Sequence, residues 1–170
     1  MNEALLPEPW LRGTLQEIPA VPRAVLHALE LAREDLTRWC AQLTDEQLNA
    51  RPAELAPVAF HIRHIARSVD RLLTYAEGNP LNAQQLAALQ TELAPNATRH
   101  DLFAELESTL AVAAARIAQF APAGLHEPRR VGKKQLPTTV AGLLVHIADH
   151  TQRHVGQAIT TAKIVTAPRA

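Results

Sequence analysis

The chain has 170 residues, and its 17 basic and 17 acidic side chains cancel to a formal net charge of zero. Such a balance supplies no global field for recruiting nucleic acid or an anionic membrane surface, so neither is an expected partner. A single cysteine, Cys40, cannot close an internal disulfide, and the opening MNEALLPEPW has neither the basic nor the apolar region of a secretory signal. No apolar run reaches the roughly 18–20 residues that cross a bilayer. A cytoplasmic protein is therefore expected, with one domain over residues 1–170, long enough to bury roughly two-thirds of its unfolded surface.

Glycines are few, and Ala, Leu, Glu, Gln and Arg dominate the long segments, which favours helix throughout. Residues 1–17, with Pro7 and Pro9 around Trp10, predict an extended arm that packs its tryptophan on the body. A first long helix is expected over 21–43, with Pro22 in its first turn and a core stripe of Val25, Leu26, Leu29, Leu36 and Trp39. Thr44 with Gln47 three residues on is a capping box for a short helix that Pro52 ends. The second long helix spans about 58–77 and stops at Gly78, Asn79 and Pro80; beside its apolar stripe, His64, Ser68, Arg71 and Tyr75 follow one helix edge as a polar seam, the pattern of a lined cavity. Asn82 caps a connecting helix, and Thr98 caps a third long helix over about 99–120. The Pro- and Gly-rich stretch 121–137 then predicts a long surface crossover, after which Thr138 or Thr139 caps a fourth long helix reaching about 165. The expected fold class is all-α, a four-helix bundle with long crossover connections and short connecting helices.

The chemistry concentrates in HIADHTQRHVGQ, residues 146–157, where His146, His150 and His154 recur every four residues. Side chains at that spacing stack on one helix face, so two of them can grip one metal ion through neutral ring nitrogens. The metallopeptidase pattern HExxH is absent, because Ile147 and Thr151 follow His146 and His150 where the general-base glutamate would stand. Helix two adds His61 and His64, and periodicity alone does not choose between them. His27, His100 and His126 stand apart and are expected to be surface or satisfied core residues.

The segments FHIRHIARSVDRLLTYAEG (60–78) and HIADHTQRHVGQ (146–157) resemble the DinB-like (DinB/YfiT) superfamily, and the likeness spans essentially the whole chain. It implies a four-helix bundle whose metal is held by one histidine of helix two and an HxxxH pair of helix four. Carried over residue by residue, the ligands are His64, His150 and His154, with His61, His146 and Gln157 as neighbours. Three imidazoles describe an open, mononuclear site suited to zinc first, then nickel or iron, and the lack of a Glu-x-x-His pair removes the di-iron alternative. Characterised relatives include transferases and isomerases that use small thiols, so the expectation is a metal-dependent enzyme, a thiol-dependent transferase before a hydrolase. A non-catalytic metal-binding module is the alternative from outside enzymology. Ser68, Arg71 and Tyr75 are the expected pocket residues, and Arg67, Arg71 and Arg153 are the candidate anchors for a substrate carboxylate, Arg71 first and the other two equally readable as solvated helix charges. The expected partners are a low-molecular-weight thiol or other small substrate and, by symmetry, a second copy in a homodimer.

Overall fold

A computed structural model describes residues 6–168. The elements in order are α1 (Ala20–Cys40), α2 (Asp45–Asn49), α3 (Val58–Ala76), α4 (Ala83–Gln90), α5 (Arg99–Ile117), the strands β1 (Pro128–Val131) and β2 (Leu136–Thr139), and α6 (Val140–Thr166). The four long helices form the bundle. Helix α6 lies between α1 and α3, α3 packs also on α5, and the α1–α5 side is the thinnest.

Local chemistry sets the helix starts. Thr44 and Asn82 each close a full capping box, with Gln47 and Gln85 reaching back to the cap backbone, while Thr98 and Thr139 accept from the amides of Asp101 and Gly142. Gly142 fits closely here, since a Cβ would lie 2.7 Å from Thr138 Oγ1 and would force that side chain to move. The core is one apolar cluster threaded by all four long helices, with Leu36, Ile62, Ile65, Leu106, Ile117, Leu144 and Ile147 fully buried. Cys40 closes the end of α1 inside that cluster, and burial pushes its thiol up to about 12.

Three expectations are corrected. Trp39 is not core: the buried face of α1 runs through Leu36 to Cys40, one helical turn apart, which leaves Trp39 on the flank under Lys163, whose Nζ sits 4.4 Å from the ring centroid. Trp10 is 62% exposed, its Nε1 donating to Glu8, and the arm is fastened instead by Arg12, which forks onto Glu34 at 2.6 and 2.8 Å and reaches Glu30 at 3.1 Å. The arm also makes a 3₁₀ turn at Pro9–Leu11; its first five residues lie outside the described ones. The crossover 121–137 is not purely a loop, because β1 and β2 pair antiparallel with Val131 opposite Leu136 and Pro128 opposite Thr139. Gly132, at φ +69°, supplies the left-handed turn of this hairpin. Helix ends fall where expected to within about one turn.

Candidate metal centre

Helices α3 and α6 run antiparallel across their shared seam, as two cross-pairs establish: His64 faces His150 and His61 faces His154. Both α6 histidines sit beside the buried stripe of Ile147, Thr151 and Val155, and both α3 histidines beside Ile62 and Ile65, so the bundle's own packing brings the imidazoles together. His64 Nε2 lies 2.8 Å from His150 Nε2, and His61 Nδ1 lies 3.0 Å from His154 Nδ1. One ring nitrogen from each of His64, His150 and His154 falls within 4.8 Å of the others, and among the described residues this trio is the group that can hold a metal ion.

The environment favours the metal-binding protonation state. Burial, reinforced by the neighbouring imidazoles, pushes His150, His154 and His61 down to about 4, so near neutral pH all three present lone pairs rather than charges. The donor set, three imidazole nitrogens, is one that divalent transition metals accept. Phe60 stacks on His64 at 5.2 Å and 22° and meets His61 and His154 edge-on, forming an aromatic cover over the cluster.

Glu92, in the segment after α4, went unnoticed in the sequence. It is 6% exposed, and its two oxygens take a hydrogen bond from His64 Nδ1 and one from Arg71, each at 2.6 Å. Burial works against its charge, yet the bonds from His64 and Arg71 outweigh that and hold the carboxyl below the usual range. No local pattern marks it, because only tertiary folding brings it to His64.

The expected polar seam divides. Arg71 is already neutralised by Glu92 and is buried, which removes it as a free substrate anchor. The Ser68 hydroxyl donates back to the Ile65 carbonyl at 3.2 Å rather than into a cavity. Tyr75 lines a separate cavity of about 730 Å³ beside the hairpin, roughly 16 Å along α3 from His64 at the helical rise. His146 lies on the rim, its ring centroid 5.2 Å from that of His150 and its Nδ1 3.8 Å from the exposed Asp149. Gln157, exposed, lines with His61, Arg153, Gly156 and Thr160 a cavity of about 470 Å³ that adjoins the cluster. His27 is a satisfied core imidazole, with Nε2 3.1 Å from Thr14 Oγ1.

Bundle and cluster together define a class: helical proteins that assemble a three-histidine site between two facing helices. The profile of the DinB superfamily matches residues 28–158, and the chain belongs to that superfamily. The fold is also similar to a crystal structure of a conserved protein from Enterococcus faecalis, with a TM-score of 0.71 at 22% identity, covering 85% of this chain and 96% of that one. A comparison with curated proteins found no significant match. No described helix is long and apolar enough to cross a membrane.

Proposed function

We propose that the protein holds one divalent metal ion at His64, His150 and His154 and is a metal-dependent enzyme, with thiol-dependent transfer as its preferred reaction. The observation that carries this reading is the meeting of three imidazoles from two helices within 4.8 Å, two of them held neutral by burial. Zinc is the first candidate, with nickel or iron next, since three imidazoles suit each of them. When bound, such an ion supplies Lewis acidity that favours the ionised, nucleophilic form of a thiol.

The chain's own residues do the rest. His61 holds Nδ1 of His154, Glu92 holds Nδ1 of His64, and Phe60 shields the cluster from bulk water on one side. The cavity beside His61 offers room for a small organic substrate, and Arg153, 55% exposed and paired only with the equally exposed Asp149, is the cation at its edge. Of the three arginines the sequence offers as anchors, Arg67 is held by Glu105 and Arg71 by Glu92, and Arg153 takes the role. A cytoplasmic homodimer acting on a small molecule completes the reading.

The test is a panel of low-molecular-weight thiols against an aryl halide, with zinc- and nickel-loaded protein beside His154→Ala. Thiol consumption that requires His154 supports transfer. Background rates for every thiol, with nitrophenyl ester hydrolysis that requires His154, would replace transfer by hydrolysis. Background rates in both assays would leave a metal-binding module without turnover.

A further inference from the structure

We propose that Glu92 is a positioning residue of the metal centre, carried on a strap, residues 91–95, that three arginines of α3 dock over the site so that strap seating and metal binding support one another. The inference rests on the reading of His64, His150 and His154 as the ligands.

The strap is built against ordinary packing logic. Its leucine, Leu93, is 58% exposed, whereas its carboxylate, Glu92, is 6% exposed. Burying a carboxylate costs free energy unless both oxygens find strong donors, and a segment that served only to cover the core would turn the leucine inward. Both Glu92 oxygens are engaged, Oε2 by His64 Nδ1 and Oε1 by Arg71 Nη1. A carboxylate paired with Arg71 accepts, so a proton of His64 is directed to Nδ1, and Nε2 is the nitrogen turned toward the other histidines. That is the nitrogen 2.8 Å from His150 Nε2. Glu92 thus selects the tautomer and fixes the ring angle that aim His64 into the cluster.

The docking is as specific as the aim. Arg63, Arg67 and Arg71 recur every four residues along one face of α3. Arg63 Nη1 donates to the carbonyls of Thr91, Glu92 and Ala94 at 3.4, 3.3 and 3.0 Å. Arg67 Nη1 donates to the Ala88 carbonyl at 2.7 Å and to Thr91 Oγ1 at 2.9 Å, and its Nε grips Glu105. The carbonyls of Ala88 and Thr91 also accept the amides of Thr91 and Ala94, so the arginines add a second donor to these turns, and the strap is held through its backbone while its one inward side chain is delivered to His64.

The test measures zinc affinity by competition with a chromophoric chelator, on metal-free wild type, Glu92→Gln, Glu92→Ala, Arg67→Ala, His154→Ala, His64→Ala and the double variant His64→Ala/Glu92→Ala. Amide exchange of residues 91–95 is followed with and without zinc. Loss of Glu92 is expected to weaken zinc about 10–100-fold, with glutamine less damaging because its carbonyl still accepts from Nδ1. In the His64→Ala background, removing Glu92 should cost nothing further, since its effect passes through that ring. Zinc should slow exchange in the strap of wild type but not of Glu92→Ala, and Arg67→Ala should weaken zinc without touching a ligand. Equal zinc affinity in wild type, Glu92→Ala and Glu92→Gln, with His154→Ala still deficient, would overturn the positioning role and leave the metal centre standing. A wild type that binds neither zinc, nickel nor ferrous iron would overturn both. If Glu92→Ala does not fold, Glu92→Leu, which fills the space but offers His64 no acceptor, carries the comparison, and unchanged affinity there is decisive against the proposal.

Discussion

Nδ1 of His61 lies 3.0 Å from Nδ1 of His154, so one proton is shared between two facing rings that each offer their δ nitrogen. If His154 uses Nε2 for a metal, its Nδ1 carries that proton and His61 must accept it, which makes His61 an orienting partner rather than a fourth ligand. His61→Phe keeps an aromatic ring, slightly larger than imidazole, and removes the acceptor. Metal affinity should fall about 10-fold or somewhat more and not vanish, as read by chelator competition; loss as complete as in His154→Ala would instead make His61 a ligand.

Replacing any one of His64, His150 or His154 with alanine should abolish stoichiometric metal while leaving the bundle folded. Elemental analysis of the purified variants checks the first expectation, and far-ultraviolet circular dichroism the second. The warrant for retained fold is the apolar cluster through α1, α3, α5 and α6, to which the three rings contribute little. An unfolded His150→Ala would make the metal structural.

The metal-free protein should lose stability as pH falls from about 6.5 to about 4. His61, His150 and His154 keep folded-state values near 4, against an ordinary value of 6.5. Between those limits the unfolded chain binds protons that the folded chain refuses, so protonation favours unfolding; above the upper limit the penalty is absent. Thermal melts at pH 7.5, 5.5 and 4.5 should show a steep decline, and His61→Leu should flatten it. A melting temperature indifferent to pH across this range would contradict burial of the neutral rings. Metal affinity of the folded protein should fall only as pH approaches about 4, where protons begin to compete for the nitrogens of His150 and His154.

Core and flank should respond very differently to truncation. Leu144→Ala, at a fully buried site, should cost about 2–5 kcal/mol in urea unfolding. Trp39→Ala, despite removing far more atoms, should cost less than that, because the ring is 37% exposed and its removal leaves no closed cavity. Comparable losses at the two positions would place Trp39 back in the core.

The helices were legible because their signals are local: Thr44, Asn82, Thr98 and Thr139 each announce a start within four residues of chain. The histidines were legible because a four-residue repeat survives any tertiary arrangement. The hairpin was not, since Pro128 and Pro137 argue against strands, and only a two-stranded ribbon, with a free edge on each strand, tolerates both. Trp39 misled because the stripe at Leu36 continues equally well, by spacing, to Trp39 or to Cys40. Glu92 carries no local signature at all, and Arg71, which spacing places on a polar seam, meets it only when the segment after α4 folds back upon α3.

The buried thiol of Cys40 has a bearing on how this protein can be studied. Fully enclosed and pushed up to about 12, it is neither reachable nor ionised under working conditions. The polypeptide is therefore silent toward alkylating agents and disulfide reagents, and it cannot form a mixed disulfide with a small thiol offered to it. Every thiol that disappears from a reaction mixture is one that was added, which makes colourimetric thiol counting a clean assay for this chain without mutating its only cysteine.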